Sequence, residues 1–121
     1  MRVTRLADVE SFTTLDGSGI REVAGPARGD AVNQSLAEAT VKAGGETAEH
    51  YHRVTEEIYF FTHGSGRMRL GEHEHEVEAG ACVVIPPGVR HKLWNTGSGP
   101  LRLLCCCAPA YSHEDTVITE G

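Results

Sequence analysis

Short hydrophobic segments alternate with glycine- and proline-containing turns along most of the chain. Residues 35–41 mix alanine, threonine and valine and end at Gly44-Gly45, and residues 58–61 form a continuous aromatic and β-branched run. Such a run is typical of a strand that is buried on both faces. Because comparable segments recur about every eight to twelve residues, and no long segment has a helical period, the pattern predicts an all-β sandwich or barrel.

Two β-hairpins are predicted in the second half of the chain. Residues 67–70 and 73–77 flank Gly71-Glu72, a two-residue turn with the glycine that such turns favour. Residues 93–95 and 101–107 flank a longer segment rich in glycine, which predicts a second hairpin.

The two ends of the chain have weaker patterns. Residues 15–22 indicate a strand, a turn and a second strand, and a short turn of helix is expected within residues 3–12. The polar and acidic segment 111–121 is expected to be an extended arm or a partly ordered tail.

The composition narrows the class of protein. At 121 residues the chain has the length of one domain, and we expect residues 1–121 to form it. A formal net charge of −6, without a lysine and arginine cluster, argues against nucleic acid as the main partner. No apolar stretch approaches the ~20 residues of a membrane span, and the N-terminus lacks the apolar stretch of a signal peptide. We therefore expect a cytoplasmic protein, away from membranes, whose partner is a small molecule.

Three histidines and a glutamate indicate a metal site. Because side chains two apart on a strand share a face, His50 and His52 can direct their rings to one point. Glu57 follows His52 by an odd step, so the chain must bend at residues 53–55 for Glu57 to join them. His91 comes just after the turn Pro86-Pro87-Gly88, where a new strand can begin.

The two segments that carry these residues resemble the paired motifs of the cupins. In the first, a glycine precedes His-x-His by five residues, and a glutamate and a second glycine follow at fixed steps. In the second, a glycine precedes Pro-x-Gly, and a histidine and an asparagine follow. The matching residues are Gly44, His50, His52, Glu57 and Gly64, then Gly80, Pro86, Gly88, His91 and Asn95, so the core motifs span residues 44–95. Glu56 competes with Glu57, but the step to Gly64 favours Glu57.

The resemblance implies a jelly-roll β-barrel with a metal near one mouth, frequently in a homodimer. His50, His52, Glu57 and His91 would bind one divalent transition metal, with iron, manganese, nickel, zinc and copper all suited to this set. Such a site carries a charge of about +1 and favours anionic chelators. A barrel that keeps these residues without a functional metal, or acts only through its dimer surface, is the competing interpretation.

The family does not imply one reaction. We expect either a dioxygenase- or isomerase-like enzyme acting on a small anionic or oxygenated substrate, or a non-catalytic module that binds or senses a sugar or sugar acid. No second carboxylate or base is evident beside the four ligands, so Tyr59 is a catalytic candidate by position alone. Gln34, Tyr59 and Phe61 are candidates for contact with the substrate.

The remaining histidines and cysteines have simpler interpretations. His73 and His75 form a second His-x-His among glutamates, which is typical of a solvated edge. Cys105 and Cys107 can share a strand face and are expected to be small buried hydrophobic residues, with a soft-metal site or redox switch as the alternative.

Overall fold

The computed structural model describes residues 1–120, and most of its regular structure is β-strand. Short 3₁₀ turns lie at Leu6–Asp8 and Pro26–Arg28, and within residues 1–120 no helix has the length and apolarity needed to cross a membrane. The strands are β1 (Phe12–Thr13), β2 (Gly19–Ala24), β3 (Ser35–Val41), β4 (His50–His52), β5 (Glu56–His63), β6 (Ser65–Leu70), β7 (His73–Glu78), β8 (Cys82–Ile85), β9 (His91–Asn95), β10 (Leu101–Ala108) and β11 (Thr116–Ile118).

The strands form two antiparallel sheets whose inner faces share one core. The six-stranded sheet has the order β1-β2-β3-β10-β5-β8, and the five-stranded sheet has the order β11-β4-β9-β6-β7. The chain crosses between the sheets repeatedly, for example from β3 to β4, from β4 to β5 and from β5 to β6. This is a jelly-roll barrel, so the predicted all-β class and jelly-roll architecture are confirmed.

Alternating side chains from both sheets fill the core. Leu101 and Leu103 on β10, Phe61 on β5 and Leu93 on β9 are each at most 2% exposed. Burial of a side chain of this size contributes roughly 1.5–3 kcal/mol relative to leaving it in water. The core therefore holds the strands that carry the histidines and Glu57 in a fixed relation.

The prediction that residues 58–61 are buried on both faces is wrong. Tyr59 and Phe61 are buried, whereas Ile58 and Phe60 are 38% and 43% exposed. Successive strand residues point to opposite faces, and no second layer of the described chain covers the outer face of β5. The run is apolar on both sides because one side meets the core and the other forms an exposed patch.

Of the two predicted hairpins, one is confirmed and one is wrong. β6 and β7 pair across Gly71-Glu72, with Leu70 opposite His73. β9 and β10 belong to different sheets, so residues 96–100 carry the chain across the barrel.

Asn95 fixes this crossing. Its Nδ2 donates hydrogen bonds to the carbonyl oxygens of Val41 and Gly99, both at 2.9 Å, and its Oδ1 accepts one from the Gly97 amide at 2.9 Å. Gly64 makes the similar corner after β5, with a left-handed φ of +84° and the Pro100 carbonyl oxygen only 2.7 Å from where a Cβ would lie. Both residues belong to the cupin-like motifs, and both stabilise the backbone at a crossing between the sheets instead of binding a ligand.

The C-terminal segment is part of the barrel. β11 pairs with β4, with Thr116 opposite His52. Just before β11, the Asp115 carboxylate accepts hydrogen bonds from the amides of Val54 (2.9 Å) and Thr55 (3.0 Å). The bend predicted after β4 is therefore present, and a segment expected to be an arm or a tail stabilises it.

Candidate metal centre

The structure brings together all four side chains that the sequence singled out. His50 and His52 point inward from β4, and His91, the first residue of β9, pairs opposite His50. Glu57 points inward from β5 of the facing sheet, and all four residues are at most 5% exposed. The ring centroids of His50 and His91 are 4.2 Å apart, and those of His52 lie 5.2 Å and 5.5 Å from them.

Each of the three imidazoles is held through its Nδ1 atom. Nδ1 of His50 lies 2.8 Å from the Ala48 carbonyl oxygen, and Nδ1 of His91 lies 3.1 Å from the Val89 carbonyl oxygen. A carbonyl oxygen only accepts, so both Nδ1 atoms donate and both Nε2 atoms carry a free lone pair when the ring is neutral.

His52 is held in the same way by a hydroxyl group. Its Nδ1 lies 3.0 Å from Oγ1 of Thr116, which donates its own hydrogen to the Ser112 carbonyl oxygen at 2.9 Å. The Thr116 hydroxyl therefore accepts from His52, and Nε2 of His52 is left facing the interior. Metal-binding histidines commonly have their second nitrogen fixed in this manner.

The Nε2 side of the cluster has too few hydrogen-bond donors. Nε2 of His91 is buried without a hydrogen-bond partner within residues 1–120. Nε2 of His52 lies 3.1 Å from Oε1 of Glu57, and Nε2 of His91 lies 3.8 Å from the same oxygen. With neutral rings these atoms are all acceptors, so a cation between them supplies what they lack.

The donor set fits a divalent transition metal. One potential ligand atom from each histidine lies within 4.8 Å of the others. Three imidazole nitrogens with one carboxylate oxygen suit iron, manganese, nickel, zinc and copper alike. The geometry is therefore compatible with a metal, and it does not select one.

The pKa shifts favour the protonation states that a metal needs. Burial, and then the nearby His50, lower the pKa of His91 from 6.5 to about 4, so the ring is neutral at pH 7. Burial alone raises the pKa of Glu57, but its electrostatic interactions with His52 and then His91, which favour the carboxylate whenever a ring takes up a proton, outweigh burial and leave that pKa below its usual value. Metal ligands must be deprotonated, and both groups meet this condition.

A cysteine that the sequence left without a role orients Glu57. Cys107 lies opposite Glu57 in the pairing of β10 with β5, and its Sγ donates a hydrogen bond to Oε2 at 3.2 Å. Burial, together with the charge of Glu57, raises the pKa of the Cys107 thiol, so the sulfur keeps its hydrogen. Oε1 is thereby directed at the histidines. Cys105 also points inward, Cys106 lies on the opposite face, and all four cysteines are free.

The cluster borders a cavity of about 60 Å³ inside the barrel. At about 10–15 Å³ for each water, this volume holds a few water molecules or a small ligand. The wall is mostly apolar, with hydroxyl groups on one part of it. The apolar lining includes Ile20, Ala37, Ala39, Val41, Leu93 and Leu103, and the hydroxyl groups are those of Thr14, Ser18, Thr47, Tyr59, Tyr111 and Thr116.

A second carboxylate, which the sequence did not reveal, lies beside the ligands. Asp16, in the turn between β1 and β2, lines the cavity with its Oδ2 3.9 Å from Nε2 of His50. Its side chain is 12% exposed. In the sequence Asp16 precedes Gly-Ser-Gly, where an aspartate is expected simply to stabilise a turn, so no local signal could distinguish it.

The other candidate residues divide into two groups. Tyr59 lines the cavity, with its ring centroid 5.9 Å from that of His91. Phe61 shares that face of β5 but is fully buried in the core and is not part of the lining. Gln34 does not lie at the cavity: it is exposed in the turn before β3. Glu56 is exposed, as expected once Glu57 points inward.

Tyr59 is unsuited to act as a base. Burial, and then the nearby charge of Glu57, raise its pKa well above the usual value of 10.0. The phenol therefore keeps its proton and can serve only as a donor or as a wall of the cavity.

Comparison with known proteins places the chain in a family. A family model described as a cupin domain matches residues 37–107, more than half of the chain. The chain therefore belongs to the cupins, as the motifs indicated.

Individual relatives span nearly the whole chain. Uncharacterized protein MJ1618 of Methanocaldococcus jannaschii is 45% identical and covers 97% of this chain and 94% of its own length. Protein SchB of Streptomyces halstedii is 30% identical and covers 86% of this chain and 79% of its own. Among solved structures, the polyketide cyclase RemF from Streptomyces resistomycificus matches with a TM-score of 0.77 at 23% identity, covering 95% of this chain and 89% of RemF. The likeness to RemF concerns the fold.

Proposed function

We propose that this cupin binds one divalent transition metal through His50, His52, Glu57 and His91, and that it is an enzyme acting on a small anionic or oxygenated substrate chelated there. The observation that carries the proposal is the buried Nε2 of His91, which has no hydrogen-bond partner within residues 1–120. Beside it, Nε2 of His52 and Oε1 of Glu57, which are both acceptors when the ring is neutral, face each other. A buried polar atom without a partner costs about 1–3 kcal/mol, which a bound metal recovers.

The side chains around the ligands have roles of their own in this proposal. Ala48, Val89 and Thr116 hold the three rings, and Cys107 holds the carboxylate. The apolar wall excludes bulk water, which strengthens every polar contact within the cavity. A metal at this position supplies a Lewis acid and a template for an oxygen-bearing ligand, or a dioxygen site if the metal is iron.

The enzyme is preferred over a binding module because a second carboxylate, Asp16, faces the cavity beside the histidines. The similarity of fold to a polyketide cyclase is consistent with this preference. A non-catalytic sugar or sugar-acid sensor uses the same cavity and metal, so the two functions differ in turnover and not in binding.

Metal analysis of the purified protein, followed by reloading with each candidate metal, tests the proposal. We expect about one equivalent of metal per chain in the natural sequence and none in His91→Ala, with His63→Ala as the control because His63 is exposed. Iron points to oxygen chemistry, and zinc or nickel to isomerase-like chemistry. Product formed by the loaded protein and lost in His91→Ala supports the enzyme. Ligand-dependent thermal stabilisation without product supports the binding module, and a protein that retains no metal contradicts both.

We also propose a homodimer that forms through the outer face of the six-stranded sheet. Ile58, Phe60 and Val84 are 38%, 43% and 52% exposed, and Ile58 pairs opposite Val84. Adjacent exposed apolar side chains of this kind mark interfaces. Phe60→Asp should convert a dimer to a monomer in sedimentation velocity, while Val32→Asp, at an 84% exposed position, should not. A monomeric natural sequence contradicts the proposal.

A further inference from the structure

The Asp16 carboxylate is held in place by its own turn. Oδ1 accepts hydrogen bonds from the amide of Ser18 (2.9 Å) and the hydroxyl of Ser18 (2.6 Å). The backbone carbonyl oxygen of Asp16 accepts from the Ala48 amide at 2.8 Å, which ties the turn to the start of β4. These contacts therefore fix the position of the carboxylate relative to His50.

The second oxygen of Asp16 faces the cavity. Within residues 1–120, Oδ2 has no hydrogen-bond partner, and it lies 3.9 Å from Nε2 of His50. Glu57 instead approaches His52 and His91, so the two carboxylates flank different histidines. A ligand in the cavity therefore meets the lone pairs of Oδ2 beside His50, which also belongs to the lining.

The charge of the lining opposes anionic ligands. Among the lining residues of the described chain, the carboxylates are those of Asp16, Glu22 and Glu57, and neither lysine nor arginine belongs to the lining. Of these, Glu57 and Asp16 approach the histidines, and the two together balance the charge of a divalent metal. The expected net charge of about +1 is thus reduced to about zero, and the attraction for an anion is lost.

We propose that Asp16 is the specificity-determining residue of this cavity: Oδ2 selects ligands that present a hydroxyl group and disfavours ligands that present a carboxylate at the same point. A hydroxyl donates a hydrogen bond to Oδ2, whereas a carboxylate is another acceptor of like charge. The inference rests on the proposed function and narrows its substrate class to small, uncharged, hydroxyl-bearing molecules with an apolar skeleton.

Hydroxyacetone and pyruvate form a matched pair of probes. Both have three carbons and a ketone oxygen, and they differ in a hydroxymethyl group against a carboxylate. Titration calorimetry with each probe, on the metal-free protein and on the protein loaded with Co²⁺, gives a ratio of affinities. We expect the natural sequence to prefer hydroxyacetone in both forms.

The variant Asp16→Asn keeps the shape of the side chain and an acceptor for Ser18 while removing the charge. It should shift the affinity ratio toward pyruvate by about tenfold or more, because hydrogen bonds to charged groups are worth this much. Asp30→Asn is the control: Asp30 accepts from the amides of Gly25 and Ala31 in a similar turn, both at 2.8 Å, but does not line the cavity. Melting temperatures of both variants verify that they fold.

The outcomes separate this inference from the proposed function. The inference is overturned if Asp16→Asn leaves the affinity ratio unchanged. It is also overturned if the natural sequence prefers pyruvate or if the protein binds neither probe. If Co²⁺ binds but Asp16→Asn does not change the affinity ratio, the proposed metal centre stands and the inference is wrong. If no metal binds while the metal-free protein shows the Asp16-dependent preference, the inference stands and the proposed function falls.

Discussion

Two His-x-His segments lie on strands of the same sheet, but only one of them belongs to a buried cluster. His50 and His52 are each 3% exposed on β4, which lies between β11 and β9. His73 and His75 are exposed on β7, the edge strand of that sheet. The spacing is identical, so the position of the strand in the sheet accounts for the difference.

The neighbours of each strand explain what that position provides. On one side of β4, β9 places His91 opposite His50, and on the other side β11 places Thr116 opposite His52. β7 has a single partner, β6, which places Leu70 and Met68 opposite the two histidines. An interior strand therefore gains both a third imidazole and a support for the rings, while an edge strand gains neither.

Of the changes considered, removal of an inward histidine should cause the largest loss of metal affinity. We expect His52→Ala to lose more than about 100-fold in metal affinity, because even residues that only support ligands are worth 10–100-fold. His75→Ala, the matched change on the edge strand, should bind metal like the natural sequence. Metal content after dialysis against a graded chelator measures both, and equal loss in the two variants would contradict the account.

The stability of the metal-free protein should depend on pH. The folded chain keeps His91 neutral down to a pKa of about 4, whereas the unfolded chain takes up a proton near 6.5. Stability should therefore be complete above about pH 6.5 and fall by up to about 3 kcal/mol as the pH decreases toward 4.

Urea unfolding of chelator-treated protein at several pH values checks this dependence. His91→Gln should flatten it, since the buried titrating group is gone, and His75→Gln should follow the natural sequence. A dependence that survives His91→Gln unchanged would assign the effect to other groups.

A smaller effect is expected from the hydroxyl that supports His52. Thr116→Val keeps the shape of the side chain but leaves Nδ1 of His52 without its acceptor at 3.0 Å. Metal affinity should decrease by about tenfold, as for other residues that orient ligands. Thr119→Val is the matched control, because the Thr119 hydroxyl bonds to Glu49 instead of a histidine. Competition with a fluorescent chelator provides the measurement, and equal effects of the two variants would argue against the support role.

The smallest effect should come from the thiol that orients Glu57. Cys107→Val removes the donor to Oε2 and should cost about 1–3 kcal/mol of unfolding free energy, with a few-fold loss of metal affinity. Cys107→Ser retains a donor and should recover most of the affinity. Cys106→Val, on the opposite face of β10, should leave metal affinity unchanged. A serine variant that behaves like the valine variant would show that volume, and not the hydrogen bond, matters.

The cupin fold and the four converging residues were predictable because their signals are local. His50 and His52 lie on one strand, Glu57 follows a short bend, and the turn before His91 is marked by two prolines and a glycine. The partners of these residues were not predictable. Asp16, Cys107 and Thr116 come from distant parts of the chain. Cys107 and Thr116 reach the cluster through strand register and Asp16 through a turn tied to Ala48, and neither kind of long-range contact has a local signal in the sequence.

The errors in the fold have a similar physical origin. A glycine-rich segment after Asn95 is compatible with a hairpin and with a crossing between sheets. The structure has the crossing, which the hydrogen bonds of Asn95 to Val41 and Gly99 stabilise. The apolar residues 58–61 suggested burial on both faces. Hydrophobicity alone, however, does not show whether an apolar strand face is covered by another layer of the chain or is exposed at the surface.

The most direct test of the metal centre is a crystal structure of the protein as purified, with anomalous scattering recorded above the absorption edge of the metal found by elemental analysis. We expect one anomalous peak about 2.0–2.2 Å from Nε2 of His50, His52 and His91 and from a carboxylate oxygen of Glu57. A cluster without a peak, or a peak beside His73 and His75, would contradict it.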